Sequence, residues 1–498
     1  MTDRMNVLLI VIDQFRADLL EDSALGREAR LPHLRALQDE AFRCPAHYSV
    51  TTPCGPSRVS MLTGQYTMNH GATRNGTPLR HDTPTLATEL RKLGYAPRLY
   101  GYTDTAQDPR VLPADDPRLA SYEELMAGFD EAVRMRMETD DSAWRAHLAA
   151  KGLDLPPYPE CYRSQDGTIT GPALYAAEDS DTAFLTDRFL DDMAGFAPGW
   201  CAAVTYIRPH PPFVAPAPYN AMYDPADMPS AADASDHHPF VAAAQARTPP
   251  GKTVVGVADV PVSDATTAAL RAVYLGLASE VDHHIGRIVA ALKASGQWDR
   301  TLLVVTGDHG EMLGDYGLWG KSTFHDAAFK VPLILRDPAR PGSFGQAGAG
   351  FTESIDLPVT ILDRLGAAAP DAMNGKSLLP LLDNPARPLR ETSFSEHDFG
   401  DPIAPNAMMQ ALDLPAKMAR FAVLRTETHR LTFFAGPQPV VLFDVCGPGE
   451  SLNLAPDPGH AEILLDLVCK MLCHRMVNPD GTFARTMIGA AGVQRGDA

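Results

Sequence analysis

The segment from Cys54 to Gly64 combines a potential nucleophile with a cation at helical spacing. Cys54 opens the run Cys-Gly-Pro-Ser-Arg, so Arg58 stands about one helical turn after it. Pro56 near the start and Gly64 just past the end are typical helix boundaries, and they predict a helix that begins close to Cys54. Unpaired backbone N–H groups and the helix dipole then favour an anion beside this cysteine. The alternative is a small buried structural residue, which is the usual state of a lone cysteine.

Two polar pairs follow apolar runs that are typical of buried strands. Asp13 and Gln14 follow the run Asn6–Ile12, and Asp308 and His309 follow a second such run. In open α/β sheets the carboxyl ends of the strands form the ligand site. Two carboxylates, one amide oxygen and one imidazole suit a divalent cation. A helix cap or a turn residue is the alternative for each aspartate taken alone.

These segments resemble the sulfatases of the alkaline phosphatase superfamily. Residues 54–58, followed by Leu-Thr-Gly at 62–64, match the family signature C-x-P-S-R and L-T-G. Thr-Gly-Asp-His-Gly at 306–310 resembles the T-S-D-H-G motif, with glycine in place of serine. Leu-Phe-Asp at 442–444 resembles a late family pattern, so the resemblance covers most of the chain.

Two departures from the typical sulfatase pattern indicate a subgroup. Typical sulfatases have paired aspartates where this chain has Asp13 and Gln14, and the family's G-K-W-H motif is replaced here by Gly-Tyr-Thr-Asp at 101–104. Together with Arg-Pro-His-Pro-Pro-Phe at 208–213 and Gly-Lys at 320–321, these segments resemble the phosphonate monoester hydrolases and related arylsulfatases. The resemblance implies hydrolysis of sulfate and phosphorus esters alike.

The resemblance also implies a formylglycine made from Cys54 and one divalent metal ion. The expected metal ligands are Asp13, Gln14, Cys54, Asp308 and His309. An imidazole ligand favours manganese over calcium, and zinc is a further alternative. The formylglycine hydrate would attack the ester, and a formylglycine-generating enzyme or an equivalent would be a necessary partner.

Roles for the surrounding side chains follow from charge and hydrogen bonding. The predicted catalytic residues are Cys54, Arg58, His210, Lys321 and Asp104, and the predicted substrate contacts are Asn75, Tyr102, His210 and Lys321. His210 is predicted to protonate the leaving oxygen, with Lys321 able to share that role. Asp104 or His210 would take the proton when the covalent intermediate breaks down. A surface lysine and a histidine bonded only to a carbonyl are the structural alternatives.

We therefore predict a metal-dependent hydrolase of sulfate monoesters that also hydrolyses phosphonate monoesters and phosphodiesters. An extra carboxylate at Asp104 would repel doubly charged phosphate monoesters more than monoanionic esters. One alternative is that phosphonate monoesters or phosphodiesters are the main substrates. In that case the nucleophile would be the formylglycine, an unmodified Cys54 or a metal-bound water. Another alternative is a non-catalytic anion-binding protein.

Composition limits the classes of binding partner and the cellular compartment that we expect. The chain has 498 residues and a net charge of -19, which opposes binding to nucleic acid or to an anionic membrane. Its seven scattered cysteines suit reduced thiols better than a disulfide framework. No apolar run approaches the roughly 20 residues of a membrane span. Because the first strand leads directly into Asp13, we expect no cleaved signal peptide and a cytoplasmic enzyme.

The order of apolar and helical patterns predicts an α/β protein with a large, doubly wound, mainly parallel sheet. Residues 1–386 are predicted to form this catalytic domain, with insertions near 108–171 and 214–257 over the site. Residues 387–476 are predicted to form a small C-terminal antiparallel sheet with one covering helix. The tail at 477–498 is expected to support a homo-oligomer, either a dimer or a tetramer.

Overall fold

The apolar run Asn6–Ile12 is the central strand of a large sheet in the computed structural model, which describes residues 4–233, 238–447, 449–490 and 492–495. The strands, in chain order, are β1 (Asn6–Ile12), β2 (Phe42–Arg43), β3 (His47–Tyr48), β4 (Thr51–Thr52), β5 (Pro97–Gly101), β6 (Asp130–Arg134), β7 (Cys201–Tyr206), β8 (Thr301–Gly307), β9 (Leu333–Arg336), β10 (Thr352–Glu353), β11 (Ser393–Asp398), β12 (Arg420–Arg425), β13 (His429–Phe434), β14 (Val441–Asp444), β15 (Thr486–Gly489) and β16 (Gly492–Arg495).

The helices alternate with the strands of the large sheet through most of the chain. They are α1 (Ala24–Glu28), α2 (Pro32–Asp39), α3 (Cys54–Thr63), α4 (Thr67–His70), α5 (Leu86–Lys92), α6 (Ser142–Ala150), α7 (Asp181–Met193), α8 (Pro239–Arg247), α9 (Asp264–Ala294), α10 (Asp326–Phe329), α11 (Asp356–Arg364), α12 (Leu379–Asp383), α13 (Ala407–Leu412) and α14 (Ala461–Val477). None of the helices within the described ranges is long and apolar enough to cross a membrane.

The large sheet has the strand order β2-β9-β8-β1-β7-β5-β6. Strands β8, β1, β7, β5 and β6 are parallel, whereas β9 runs antiparallel to β8 and to β2. The predicted doubly wound, mainly parallel α/β fold is confirmed. The register aligns Ile12 with both Gly307 and Tyr206, so the residues that follow these strands emerge at one edge of the sheet.

Both faces of the large sheet are covered by helices, as the continuous apolar run of β1 requires. Leu8, Ile10 and Ile12 pack in one core with α9, and the alternate residues of β1 pack in a second core with α3, α5 and α11. Apolar residues at helical spacing between 270 and 292 form the buried face of α9. Helix α2 ends at Asp39, and Phe42 pairs with Leu335 as an edge strand.

A second sheet has the order β14-β13-β12-β11-β4 and lies under α14. Its strands from β11 to β14 are antiparallel, as predicted, but β4 pairs parallel with β11. The C-terminal sheet therefore borrows Thr51 and Thr52 from the segment directly before Cys54. This pairing has no signal in the sequence, because two residues are too few to show a strand pattern.

The predicted insertions and tail contain short regular elements. The segment 108–171 contributes β6 to the edge of the large sheet and contains α6, and the segment 214–257 contains α8. The tail includes the antiparallel hairpin of β15 and β16. The boundaries assigned to the domains from the sequence stay a prediction.

Replacement of Leu8 by alanine is expected to destabilise the large sheet. The Leu8 side chain is fully buried in the core under α9, so its truncation should lower the free energy of unfolding by about 2–5 kcal/mol. Chemical denaturation followed by circular dichroism measures the effect. Ile403→Ala is the control, because Ile403 is 93% exposed and its truncation should change stability by less than about 0.5 kcal/mol. Equal midpoints for both variants would contradict the assigned core.

Candidate active site

Helix α3 places Cys54 against the carboxyl ends of β1 and β8. Cys54 is the first residue of this helix, and Gly64 ends it with a φ of 67°, a left-handed conformation that suits glycine. The Gly55 N–H donates to the Asn75 side-chain oxygen (3.0 Å). Ser57 donates through its hydroxyl to the Asp308 carbonyl (2.5 Å), which ties the helix to the end of β8.

Four predicted metal ligands converge in a buried cluster. One potential ligand atom from each of Asp13, Cys54, Asp308 and His309 lies within 4.8 Å of the others. The His309 Nε2 lies 3.2 Å from the Cys54 sulfur and 3.8 Å from an oxygen of each aspartate. This is the arrangement expected of side chains that can share one ion.

The tautomer of His309 fits a metal ligand. Its Nδ1 lies 3.1 Å from the Gly310 carbonyl, which can only accept a hydrogen bond, so Nδ1 carries the proton and Nε2 keeps a free lone pair. Burial, with the nearby charge of Lys321, lowers the pKa of His309 to about 3. The ring is therefore neutral at neutral pH, as metal ligation requires.

Arg58 bridges the two aspartates of the cluster. Its Nε donates to Asp308 (3.0 Å) and one Nη donates to Asp13 (3.2 Å), and the guanidinium is only 1% exposed. The ring of Tyr102 stacks on this guanidinium, with the Arg58 Cζ 3.9 Å from the ring centroid. The sequence predicted Arg58 as a catalytic residue, and in the structure its guanidinium donates to the two carboxylates and to Tyr102.

Gln14 is oriented by residues on the loop that follows β8. Its amide nitrogen donates to Glu311, whose other oxygen accepts from the Leu313 and Gly320 N–H groups. The amide oxygen of Gln14 is thereby directed to Lys321, 2.6 Å away. Gln14 also has a φ of 61°, a conformation held by its backbone N–H bond to Asp308 (3.0 Å). Glu311 directly follows the matched motif at 306–310 and received no role from the sequence.

Lys321 and His210 form a pair at the edge of the cluster. The Lys321 Nζ lies 2.9 Å from His210 Nε2, and His210 Nδ1 lies 2.5 Å from the Pro211 carbonyl. His210 therefore carries its proton on Nδ1, and Nε2 accepts from the ammonium group. Burial and the charge of Lys321 lower the pKa of His210 to about 3. Although burial acts against it, the negative groups around Lys321 raise the pKa of this lysine, which stays a cation.

Asp104 and Tyr102 line the side of the site where typical sulfatases have lysine and histidine. Asp104 is 7% exposed, has a φ of 47°, and its Oδ1 has no hydrogen-bond partner within the described part of the chain. Burial raises the pKa of Asp104 well above its usual value, so its carboxylate takes up a proton more readily than an exposed aspartate does. The Tyr102 hydroxyl donates to Asp13 and accepts from Arg58 (2.8 Å), so it is not free to donate to a substrate.

Asn75 lies near the cluster but faces the helix. Its side-chain oxygen accepts from Gly55, which leaves only its amide N–H groups for a substrate.

On the long helix α9, Asp282 caps α2 by accepting from the Leu34 N–H (2.7 Å). Within the described ranges, the cluster around Cys54 is the only group of His, Cys, Asp and Glu side chains arranged to hold a metal ion.

Comparison with known proteins finds relatives over nearly the whole chain. The sulfatase family profile matches residues 5–367, and the profile of the N-sulphoglucosamine sulphohydrolase C-terminal region matches residues 314–476. The chain is 36% identical to the multifunctional alkaline phosphatase superfamily protein PehA of Trinickia caryophylli, over 96% of both chains.

Two solved structures are similar over nearly the whole chain. The phosphonate monoester hydrolase SpPMH of Silicibacter pomeroyi is 50% identical with a TM-score of 0.95, and 99% of each chain is covered. The phosphonate monoester hydrolase of Agrobacterium radiobacter is 34% identical with a TM-score of 0.91, covering 99% of this chain and 100% of the other. The family resemblance seen in the sequence is confirmed.

Replacement of Glu311 by glutamine is expected to weaken metal binding. The substitution removes one acceptor oxygen, so the Gln14 amide loses the partner that directs its oxygen into the site. Loss of such an outer contact typically lowers metal affinity by about 10- to 100-fold. Titration of Mn²⁺ into demetallated protein, followed by calorimetry, measures the change.

The control for this titration is Glu353→Gln. Glu353 is also fully buried, but it bonds Tyr66 and the Phe394 N–H outside the cluster. Its Mn²⁺ affinity should equal that of the wild type. Unchanged affinity in the Glu311 variant would show that Gln14 does not need this orientation to bind metal.

Proposed function

This chain belongs to the sulfatase family of the alkaline phosphatase superfamily, a family of hydrolases, and we propose that it hydrolyses phosphonate monoesters, with sulfate monoesters as second substrates. The observation that carries the proposal is the buried cluster at Cys54 with Lys321 and His210 beside it. The sequence favoured sulfate esters as the main substrates. The two similar solved structures are phosphonate monoester hydrolases, which supports the phosphonate alternative instead.

Sulfatases are metal-dependent and carry formylglycine, and both groups suit the residues present here. A divalent cation held by the four clustered side chains and Gln14 would supply a Lewis acid for the ester oxygen and the nucleophile. Manganese is our proposed metal, because the ligand set includes an imidazole, and calcium and zinc remain alternatives. Formylglycine at position 54 would supply the attacking hydroxyl.

Conversion of Cys54 to formylglycine would have to precede folding. The cysteine is 5% exposed, and all ten residues of α3 are buried, so a modifying enzyme could not reach it in the folded protein. We therefore propose that a formylglycine-generating enzyme, or an equivalent, acts on the segment 54–58 while it is extended.

Lys321 and His210 are placed to handle the leaving group. The ammonium of Lys321 would bind the anionic oxygens of the ester, and it holds a proton that points at His210 Nε2. We propose that this pair donates a proton to the leaving oxygen, with the proton held at Lys321 Nζ before transfer. The positive charge of Arg58 would compensate the negative charges of Asp13 and Asp308 and hold both carboxylates in place during the reaction.

Asp104 is our proposed proton acceptor for the second half of the reaction. Its Oδ1 has no hydrogen-bond partner among the described residues, and its backbone lies beside the residue that follows the nucleophile, because a Cβ added to Gly55 would come within 3.1 Å of the Asp104 carbonyl oxygen. Release of the product requires loss of a proton from the remaining hydroxyl at position 54. Transfer to Asp104 Oδ1 would allow this step without attack of water on an anionic centre.

The mass of the Cys54 peptide tests the proposed modification directly. Protein purified from its native host should show a loss of about 18 Da at this residue, as expected for conversion of a thiol to an aldehyde hydrate that dehydrates in the spectrometer. Peptide mass spectrometry measures the shift, with the Cys446 peptide as an unmodified internal control. An intact thiol in fully active protein would favour metal-bound water as the nucleophile.

Cys54→Ala should abolish turnover while leaving the fold intact. Removal of a covalent nucleophile should lower kcat by more than about 10³-fold on 4-nitrophenyl phenylphosphonate and on 4-nitrophenyl sulfate. Cys446→Ala is the matched control, because Cys446 is exposed and lies outside the cluster. Wild-type rates in the Cys54 variant would contradict the proposed nucleophile.

A panel of chromogenic esters distinguishes the proposed substrates. We expect the highest kcat/KM on the phosphonate monoester, followed by the sulfate monoester and phosphodiester, and the lowest on the phosphate monoester. A highest value on the sulfate would restore the order predicted from the sequence. Tight binding of sulfate or phosphate with no turnover of any ester would favour the anion-binding alternative.

We also propose a cytoplasmic location and a homo-oligomer. The seven cysteines are free in the structure, which suits a reducing compartment. In the tail, Met487, Ile488 and Val493 are exposed on the hairpin of β15 and β16, and a second copy of the chain could cover them. A monomeric mass by light scattering would count against the oligomer.

A further inference from the structure

The loop that carries His210 has few backbone donors of its own. It follows β7 and contains Pro209, Pro211 and Pro212, which have no N–H groups to fix it by hydrogen bonds. Its carbonyl groups are buried or half-buried and need side-chain donors. The position of His210 Nε2, 2.9 Å from Lys321, therefore depends on side chains that donate to these carbonyl groups.

Arg208 supplies those donors. One of its terminal nitrogens donates to the His210 carbonyl (3.0 Å) and to the Pro212 carbonyl (2.9 Å), so the guanidinium lies inside the curve of the loop. The side chain is 0% exposed. A planar guanidinium can hold two acceptors at fixed positions, which a flexible ammonium cannot do as rigidly.

Arg208 also contacts α7 and the segment 108–171. Its Nε lies 3.4 Å from the carboxylate of Asp181, the first residue of α7, and its Cζ lies 4.1 Å from the ring centroid of Tyr162. The Tyr162 hydroxyl donates to Asp181 (3.2 Å). Tyr162 belongs to the segment 108–171 that the sequence analysis assigned to an insertion over the site.

We propose that Arg208 is a positioning residue for proton transfer to the leaving group. It holds the backbone on both sides of Pro211, so His210 presents Nε2 to Lys321, and it couples this loop to the inserted segment through Asp181 and Tyr162. Arg208 itself touches neither the substrate nor the reacting atoms. The proposal rests on the proposed function, because it concerns the proton donor of that reaction.

The leaving group of the substrate provides the test. 4-Nitrophenol is a good leaving group that hardly needs a proton, whereas phenol needs one, so misplacement of the donor should affect phenyl esters more. We expect Arg208→Ala and Arg208→Lys to lower kcat by about 10²-fold on a phenyl phosphonate ester and by tenfold or less on the 4-nitrophenyl ester. A purely structural role would lower both rates by the same factor.

Arg336 offers a matched control. It is also buried, donates to the Trp298 carbonyl (2.7 Å), pairs with Asp299 and stacks on the Trp298 ring with its Cζ 4.0 Å from the centroid. Like Arg208, Arg336 donates to a backbone carbonyl, pairs with an aspartate and stacks on an aromatic ring. Its contacts lie outside the cluster around Cys54. Arg336→Lys and Arg336→Ala should change the two ester rates equally.

Chemical rescue adds a second readout. The Arg208→Ala variant leaves a cavity the size of a guanidinium group, so guanidinium chloride at non-denaturing concentration should restore part of the rate on the phenyl ester. Ammonium chloride at the same ionic strength should not. If the alanine variant does not fold, the leaving-group comparison on Arg208→Lys decides the question by itself.

The outcomes separate this proposal from the one it rests on. If the wild type turns over neither ester, the proposed function is wrong and the role of Arg208 is overturned with it. If the wild type is active but the Arg208 variants lose the same factor on both esters, or lose nothing, only the positioning role is overturned. A larger loss on the phenyl ester supports it.

Discussion

The bridge from Arg58 to Asp13 and Asp308 is the interaction on which the rest of the site depends. Two buried carboxylates at the ends of adjacent strands repel each other unless a cation lies between them. Because Arg58 comes from α3, the same contact that compensates this charge also fixes the helix that carries Cys54. The register of β1 and β8 sets both aspartates at one level, so the bridge depends on the pairing of these two strands.

Further polar contacts extend from this bridge in a connected chain. Glu311 orients the Gln14 amide, Gln14 faces Lys321, and Lys321 faces His210. Each group has its donor or acceptor role fixed by the next, so few alternative arrangements are available. Where typical sulfatases have a second aspartate, this chain has a neutral amide whose orientation is set by a carboxylate outside the ligand set.

Much of the fold and the candidate site could be predicted from the sequence. The β1 run is apolar on both faces, and the spacing of Leu270, Leu277 and Val281 gives one helical face, so periodicity identified β1 and α9. Asp13, Asp308 and His309 were predicted to lie together because β1 and β8 end at the same edge of the sheet, whereas Cys54 joined the ligand set through the family resemblance. The parallel pairing of β4 with β11 was not predictable, because it joins two residues to a strand more than 300 positions later.

Residue types at short spacing were enough to indicate which side chains could bind a metal, which cysteine could be modified and which family the chain resembles. The partner of each polar group, in contrast, depends on the folded structure. There the Tyr102 hydroxyl donates to Asp13, the Arg58 guanidinium pairs with two carboxylates, and the Arg208 guanidinium donates to the His210 loop. These contacts join segments that are far apart along the chain, and local spacing carries no information about which buried donor will meet which buried acceptor.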